Sequence, residues 1–84
     1  MRAIFVMIKC EMGLAYQVAR EMADNIEELS EMHSISGQYD LLGKFYLEGD
    51  RDIGLFVVEQ VQTVPGVKDT YTLQTFNAFS GVRG

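Results

Sequence analysis

The stretch Arg2–Cys10 (RAIFVMIKC) constrains this chain most. It is rich in β-branched and aromatic residues and runs out into charge and Gly13, the pattern of a short strand. Successive strand side chains point to opposite sides, so Ala3, Phe5 and Met7 face one way and Ile4, Val6 and Ile8 the other. Both faces therefore seek burial. A chain of 84 residues has enough helix to cover one face; the other needs a second subunit's sheet. The same length excludes two domains, since each half would fall near the size that requires disulfides or metals. Association is expected to stabilise so small a unit.

After Gly13 the period changes. Leu14, Val18, Met22 and Ile26 recur every four residues beside Ala15, Ala19 and Ala23, which predicts an amphipathic helix over 14–26. Segments 31–37 (EMHSISG) and 39–48 (YDLLGKFYLE) read as two strands joined by a tight turn at Gly37 and Gln38, because glycine supplies the positive φ that such a turn needs. Asp50 or Asp52 is a candidate N-cap for a second helix over 53–62, with Ile53, Phe56, Val57, Gln60, Val61 and Val64 at helical spacing. Pro65 and Gly66 end it. Segment 67–77 (VKDTYTLQTFN) is β-rich and alternating, a fourth strand, and 78–84 is expected to be an irregular tail. The order βαββαβ predicts an α+β, ferredoxin-like sandwich: a four-stranded antiparallel sheet with both helices on one face. Packing two bare faces together would make a dimeric α+β barrel. Several hundred Å² buried per subunit would contribute on the order of 10 kcal/mol before association costs.

Composition narrows the function. Seven Lys and Arg against twelve Asp and Glu give a net charge of −5, whereas nucleic-acid binding concentrates positive charge to displace counterions from phosphates. Direct nucleic-acid binding is not expected. The longest apolar run, residues 3–8, is far short of the roughly 20 residues of a spanning helix. No membrane association and a cytoplasmic location are expected, and the single Cys10, unable to form an intrachain disulfide, fits a reducing compartment. His33 and Cys10 are the only residues of their types and carry no catalytic motif; Glu27, Glu28 and Glu31 read as a solvated turn. No zinc spacing, CxxC pair, phosphate-cradling glycine loop or RNA-recognition signature is present. Neither catalytic residues, a metal nor a cofactor is expected.

Two segments remain. Gly37-Gln38-Tyr39-Asp40 puts a phenol, a carboxylate and free backbone N–H groups at one end of the sheet, although Asp40 could equally serve the turn itself. Pro65-Gly66-Val67-Lys68-Asp69-Thr70-Tyr71-Thr72 is a helix stop leading into a strand with alternate hydroxyls. With about 25 residues and an amphipathic helix between them, the pair resembles the effector-binding RAM domain (regulation of amino acid metabolism) of Lrp/AsnC feast/famine transcriptional regulators. The resemblance covers 1–77. Regulators of the family carry an N-terminal helix-turn-helix domain, and this chain starts at the first strand of the effector domain, so it resembles a stand-alone RAM protein.

The resemblance implies a non-enzymatic module that binds a small amino acid at contacts between homodimers in a higher oligomer, and that could co-assemble with full-length Lrp/AsnC-type regulators. It implies a site near Gly37, Gln38, Tyr39, Asp40, Thr70 and Thr72. An α-amino acid needs an acceptor for its ammonium, which Asp40 supplies. It also needs donors for its carboxylate, which the 37–39 backbone and the two threonine hydroxyls supply. Tyr39 would wall the pocket. Two other functions share the fold: a cofactor-free monooxygenase built as a dimeric α+β barrel, and an ACT-type regulatory domain. The chain has one His and no Trp for the first, and the second normally occurs fused to an enzyme.

Overall fold

A computed structural model describes residues 1–79. The chain runs β1 (Arg2–Cys10), α1 (Ala15–Asn25), β2 (Leu29–Ser34), β3 (Leu41–Leu47), α2 (Ile53–Phe56), a π-helical turn (Val57–Val61) and β4 (Val67–Gln74). The strands form one antiparallel sheet in the order β2-β3-β1-β4. This is the expected βαββαβ sandwich.

The alternation of β1 decides the layering. Ile4, Val6, Ile8 and Cys10 are buried beneath the helices together with Leu41, Phe45 and Leu47 of β3. From above, α1 contributes Val18 and Met22, followed by Ile26, and the second helical segment contributes Phe56, Val57 and Val61. The Phe56 ring meets Phe45 edge-on, with centroids 5.4 Å apart. Among the described residues no polar side chain is buried in this core.

Local chemistry sets the connections. The Asp52 side chain caps α2 by accepting from the Leu55 N–H at 3.0 Å. The expected single helix over 53–62 opens into a π turn over Val57–Val61 at its second half. Gln60, expected on the buried face, is exposed. Gly66 has φ +96°, and a Cβ there would lie 2.8 Å from Val18 Cγ2, so only glycine lets the chain pass this close to α1.

The turn between β2 and β3 is wider than expected. Instead of a tight turn at Gly37 and Gln38, the Ile35 N–H donates to the Asp40 carbonyl oxygen at 2.9 Å and closes a four-residue loop over 36–39. Regular pairing begins at Ser34 with Leu41, because the Asp40 N–H goes to Ile8 of β1 rather than to β2. The strands are correspondingly shorter than their β-rich sequence, and β4 stops at Gln74 rather than 77. Of the expected tail, Ala78 and Phe79 have no regular structure, and 80–84 lie outside the described residues.

Register places the other face. Phe5, Met7 and Lys9 of β1 oppose Lys44 and Leu42 of β3 and Leu73, Tyr71 and Asp69 of β4, all on the side away from the helices. Tyr46, Tyr71 and Leu73 are among the exposed large apolar side chains there. Through the middle runs a charged stripe: Glu31 lies 3.0 Å from His33 and 3.6 Å from Lys44, whose ammonium stands over the Phe5 and Tyr46 rings.

Candidate functional site

The loop over 36–40 is fixed at several points, all traceable to the end of β1. Asp40 gives its N–H to the Ile8 carbonyl oxygen at 2.9 Å, and its carboxylate Oδ2 accepts from the Cys10 N–H at 2.8 Å. One side chain thus satisfies the last donor of β1 and pins β3's entry to it. Lys9, one residue earlier and on the opposite face, donates from Nζ to the Gln38 carbonyl oxygen at 3.1 Å. The register of β1 against β4 shifts between Lys9 and Cys10, which leaves Lys68 without a cross-strand partner before Cys10 pairs with Val67. Gly37 sits at the exposed tip with φ +114°, a conformation that L side chains rarely adopt.

Two grooves flank this loop. The larger, of about 490 Å³, opens at the loop end of the bare sheet face and is lined by Met7, Ile35, Ser36, Gln38, Tyr39 and Tyr71. Its aromatic wall is the Tyr39–Tyr71 pair, with rings 6.2 Å apart and 16° from parallel. The smaller, of about 310 Å³, lies on the other side of the loop and is lined by Asp40, Cys10 and the turn into α1, including Tyr16. Burial pushes the Cys10 thiol up from its ordinary value, and the nearby Asp40 charge adds to that, with Lys9 opposing. Among the described residues no group of three or more His, Cys, Asp or Glu is placed to hold a metal ion.

The structure brings Gly37, Gln38, Tyr39 and Asp40 into one loop, with Tyr39 and Asp40 serving its two different sides. Thr70 and Thr72 lie apart from it within one chain. They oppose Ile8 and Val6 across β1 and β4, so their hydroxyls face the helix side, where Thr70 Oγ1 accepts from Gln62 Nε2 at 2.9 Å. The β4 residue that reaches the loop is Tyr71, opposite Met7. Met7, Lys9, Ile35 and Tyr71 were not singled out from the sequence. Alternation says only that Tyr71, between two threonines on a strand, faces away from both; the β1–β4 register is what sets it beside the loop.

This arrangement, a four-stranded sheet with one bare face and a pinned loop at its end, belongs to a known class of ligand-binding domain. Residues 3–80 match the family model of the Lrp/AsnC ligand binding domain, and the chain belongs to that family. An uncharacterized HTH-type transcriptional regulator of Pyrococcus furiosus is 28% identical over 74 residues, 86% of this chain and 49% of the regulator. The chain spans about half the length of the curated relatives it matches. Among solved structures, a Thermus thermophilus protein superposes with a TM-score of 0.83 at 25% identity, over 94% of this chain and 98% of that one. A Neisseria meningitidis transcriptional regulator, solved as a complex with L-methionine, has a TM-score of 0.77 at 14% identity over 90% of this chain and 50% of that one. Among the described residues no helix is long and apolar enough to cross a membrane.

Proposed function

We propose that this chain is a non-enzymatic sensing and oligomerisation module that binds a small amino acid at the 36–40 loop. The observation that carries the reading is the loop itself, in a chain whose family is one of ligand-binding domains: its backbone is tied to β1 through Asp40, and it is flanked by two grooves. Asp40 spends one carboxylate oxygen on Cys10 and offers the other to an ammonium group. The methionine held by the Neisseria regulator supports an amino acid as the ligand class. Thr70 and Thr72 enter such a site only from another subunit, which suits a ligand bound between dimers.

The bare face supplies the assembly. Phe5, Met7, Leu42, Tyr46, Tyr71 and Leu73 would be covered by a second copy of the chain packed sheet to sheet, and the homodimers would associate further or with full-length Lrp/AsnC-type regulators. A net charge of −5 supports a role without direct contact to nucleic acid. Ligand that binds the assembled form preferentially stabilises it by about 2.7 kcal/mol at a hundredfold excess over Kd. Sensing would be read out in this way. Thermal unfolding of the full chain against each of the common amino acids tests the reading: one or a few selective upward shifts are expected, and a flat profile across the set contradicts it.

A further inference from the structure

The bare face of the sheet is laid out in rows. Register sets Tyr71, Met7, Leu42 and His33 in one row across the four strands, and Leu73, Phe5, Lys44 and Glu31 in the next. The second row ends in a charged cluster. Glu31 Oε1 lies 3.0 Å from His33 Nε2, and its Oε2 lies 3.6 Å from Lys44 Nζ.

The charges within the paired strands single out His33. On this face β1 brings Lys9 and β4 brings Asp69, opposed in register, while β3 brings Lys44 and β2 brings Glu31, so two cations and two anions cancel. The Asp40 carboxylate, in the adjoining loop, is turned to the Cys10 N–H, and Tyr39, Tyr46 and Tyr71 add phenol hydroxyls. Glu48 and the amino terminus lie past the strand ends, at the opposite end of the sheet from the loop. The hydrogen bond from His33, followed by the Lys44 charge, holds the Glu31 carboxyl below its ordinary value of 4.5, so Glu31 remains an anion above that pH. Histidine is the side chain whose charge changes between about pH 5 and 8. His33 therefore decides whether the face is balanced.

A second copy packed sheet to sheet brings the same groups, because a two-fold interface applies one patch to itself. With neutral imidazoles, two balanced faces meet. With both imidazoles protonated, each face carries a surplus positive charge into a space that water is leaving. We propose that sheet-to-sheet association is linked to the proton on His33: the assembled form holds the neutral imidazole, the separate copies take up the proton, and acidification below neutrality drives the copies apart. The inference rests on the second-copy reading above and adds its regulation. Overall charge gives the opposite sign, since a chain of net charge −5 and pI near 4.6 loses its self-repulsion as pH falls.

Sedimentation equilibrium of the full chain at about pH 8 and about pH 5.5, at constant ionic strength, tests the linkage. The dissociation constant of the parent should rise about tenfold or more in acid, because like charges brought together oppose association. His33→Gln, uncharged at both values, should change by less than about twofold and also separates His33 from the amino terminus. His33→Lys, charged at both, should associate about tenfold more weakly than the parent at about pH 8, which decides the matter even if acid disturbs the fold. Unchanged or tighter association of the parent in acid overturns the inference and leaves the second-copy reading standing. So does a His33→Gln variant that keeps the parent's pH dependence, or a His33→Lys variant as tight as the parent. A parent that is monomeric at about pH 8 overturns both.

Discussion

The two faces of the sheet come from the same four strands and differ in what they are allowed to contain. Beneath the helices, Ile4, Val6, Ile8, Leu41, Phe45 and Leu47 make a layer with no buried polar side chain among the described residues. On the opposite side, Phe5, Met7, Leu42 and Tyr46 share their surface with Glu31, His33, Lys44 and Lys9. The first face is a core, where every group must be satisfied by neighbours within the chain. The second mixes large apolar side chains with charges that retain water, the composition expected of the interface proposed above.

Removing a side chain from each face should therefore produce different losses. Phe45→Ala deletes a fully buried ring that touches Phe56, and should lower unfolding free energy by about 3–5 kcal/mol in urea denaturation. A domain of this size has only about 4–13 kcal/mol in total, so a large share of the stability goes with one ring. A loss below about 1 kcal/mol would mean that the helix-covered face is not the core.

At the loop end the expected loss is in binding rather than folding. Asp40→Asn keeps an oxygen that can accept from the Cys10 N–H, so the loop stays pinned while the charge is lost. Affinity for the amino acid found in the thermal screen should fall by about 1.5–3 kcal/mol in calorimetric titration, with unfolding midpoint and oligomeric mass unchanged. Parent-like affinity would reduce Asp40 to a structural residue of the loop.

The smallest effect lies at the far end of the sheet, where the Arg51 guanidinium bonds Glu28 and holds its carboxyl below the ordinary value of 4.5, against a smaller opposing push from burial. A depressed folded-state value contributes stability that is present above pH 4.5 and lost as pH falls through the folded value. In Glu28→Gln the stability measured by denaturant titration should decline less steeply below pH 4.5 than in the parent, with ligand affinity untouched. An identical acid limb would show that the pair contributes nothing.

The first face was legible in the sequence because its rules are local and repeated. The period-two burial of β1, the period of α1, an aspartate cap at 50 or 52 and the Gly66 stop each follow from a few neighbouring residues, and the structure settles the cap on Asp52. The loop was legible only as a motif. Its width depends on the Asp40 N–H choosing Ile8 over β2, a contact across 32 positions that no local propensity encodes. The placement of Thr70 and Thr72 on the helix side, and of Tyr71 beside Tyr39, depends on the β1–β4 register, which the bulge at Lys9 and Cys10 sets. The strand's alternation was visible; which of its phases met the loop was not.

The central claim is that the bare face binds a second copy of the chain. Sedimentation equilibrium on the full chain at micromolar concentration, beside a Tyr46→Asp variant, tests it most directly. Tyr46 is over a third exposed, so the substitution should leave the far-UV circular dichroism spectrum and the core intact while placing a new charge on the face. The parent should sediment at no less than twice 9.5 kDa, and the variant should fall toward 9.5 kDa over the same range. A parent that stays at 9.5 kDa, or a folded variant with the parent's mass, would contradict the account.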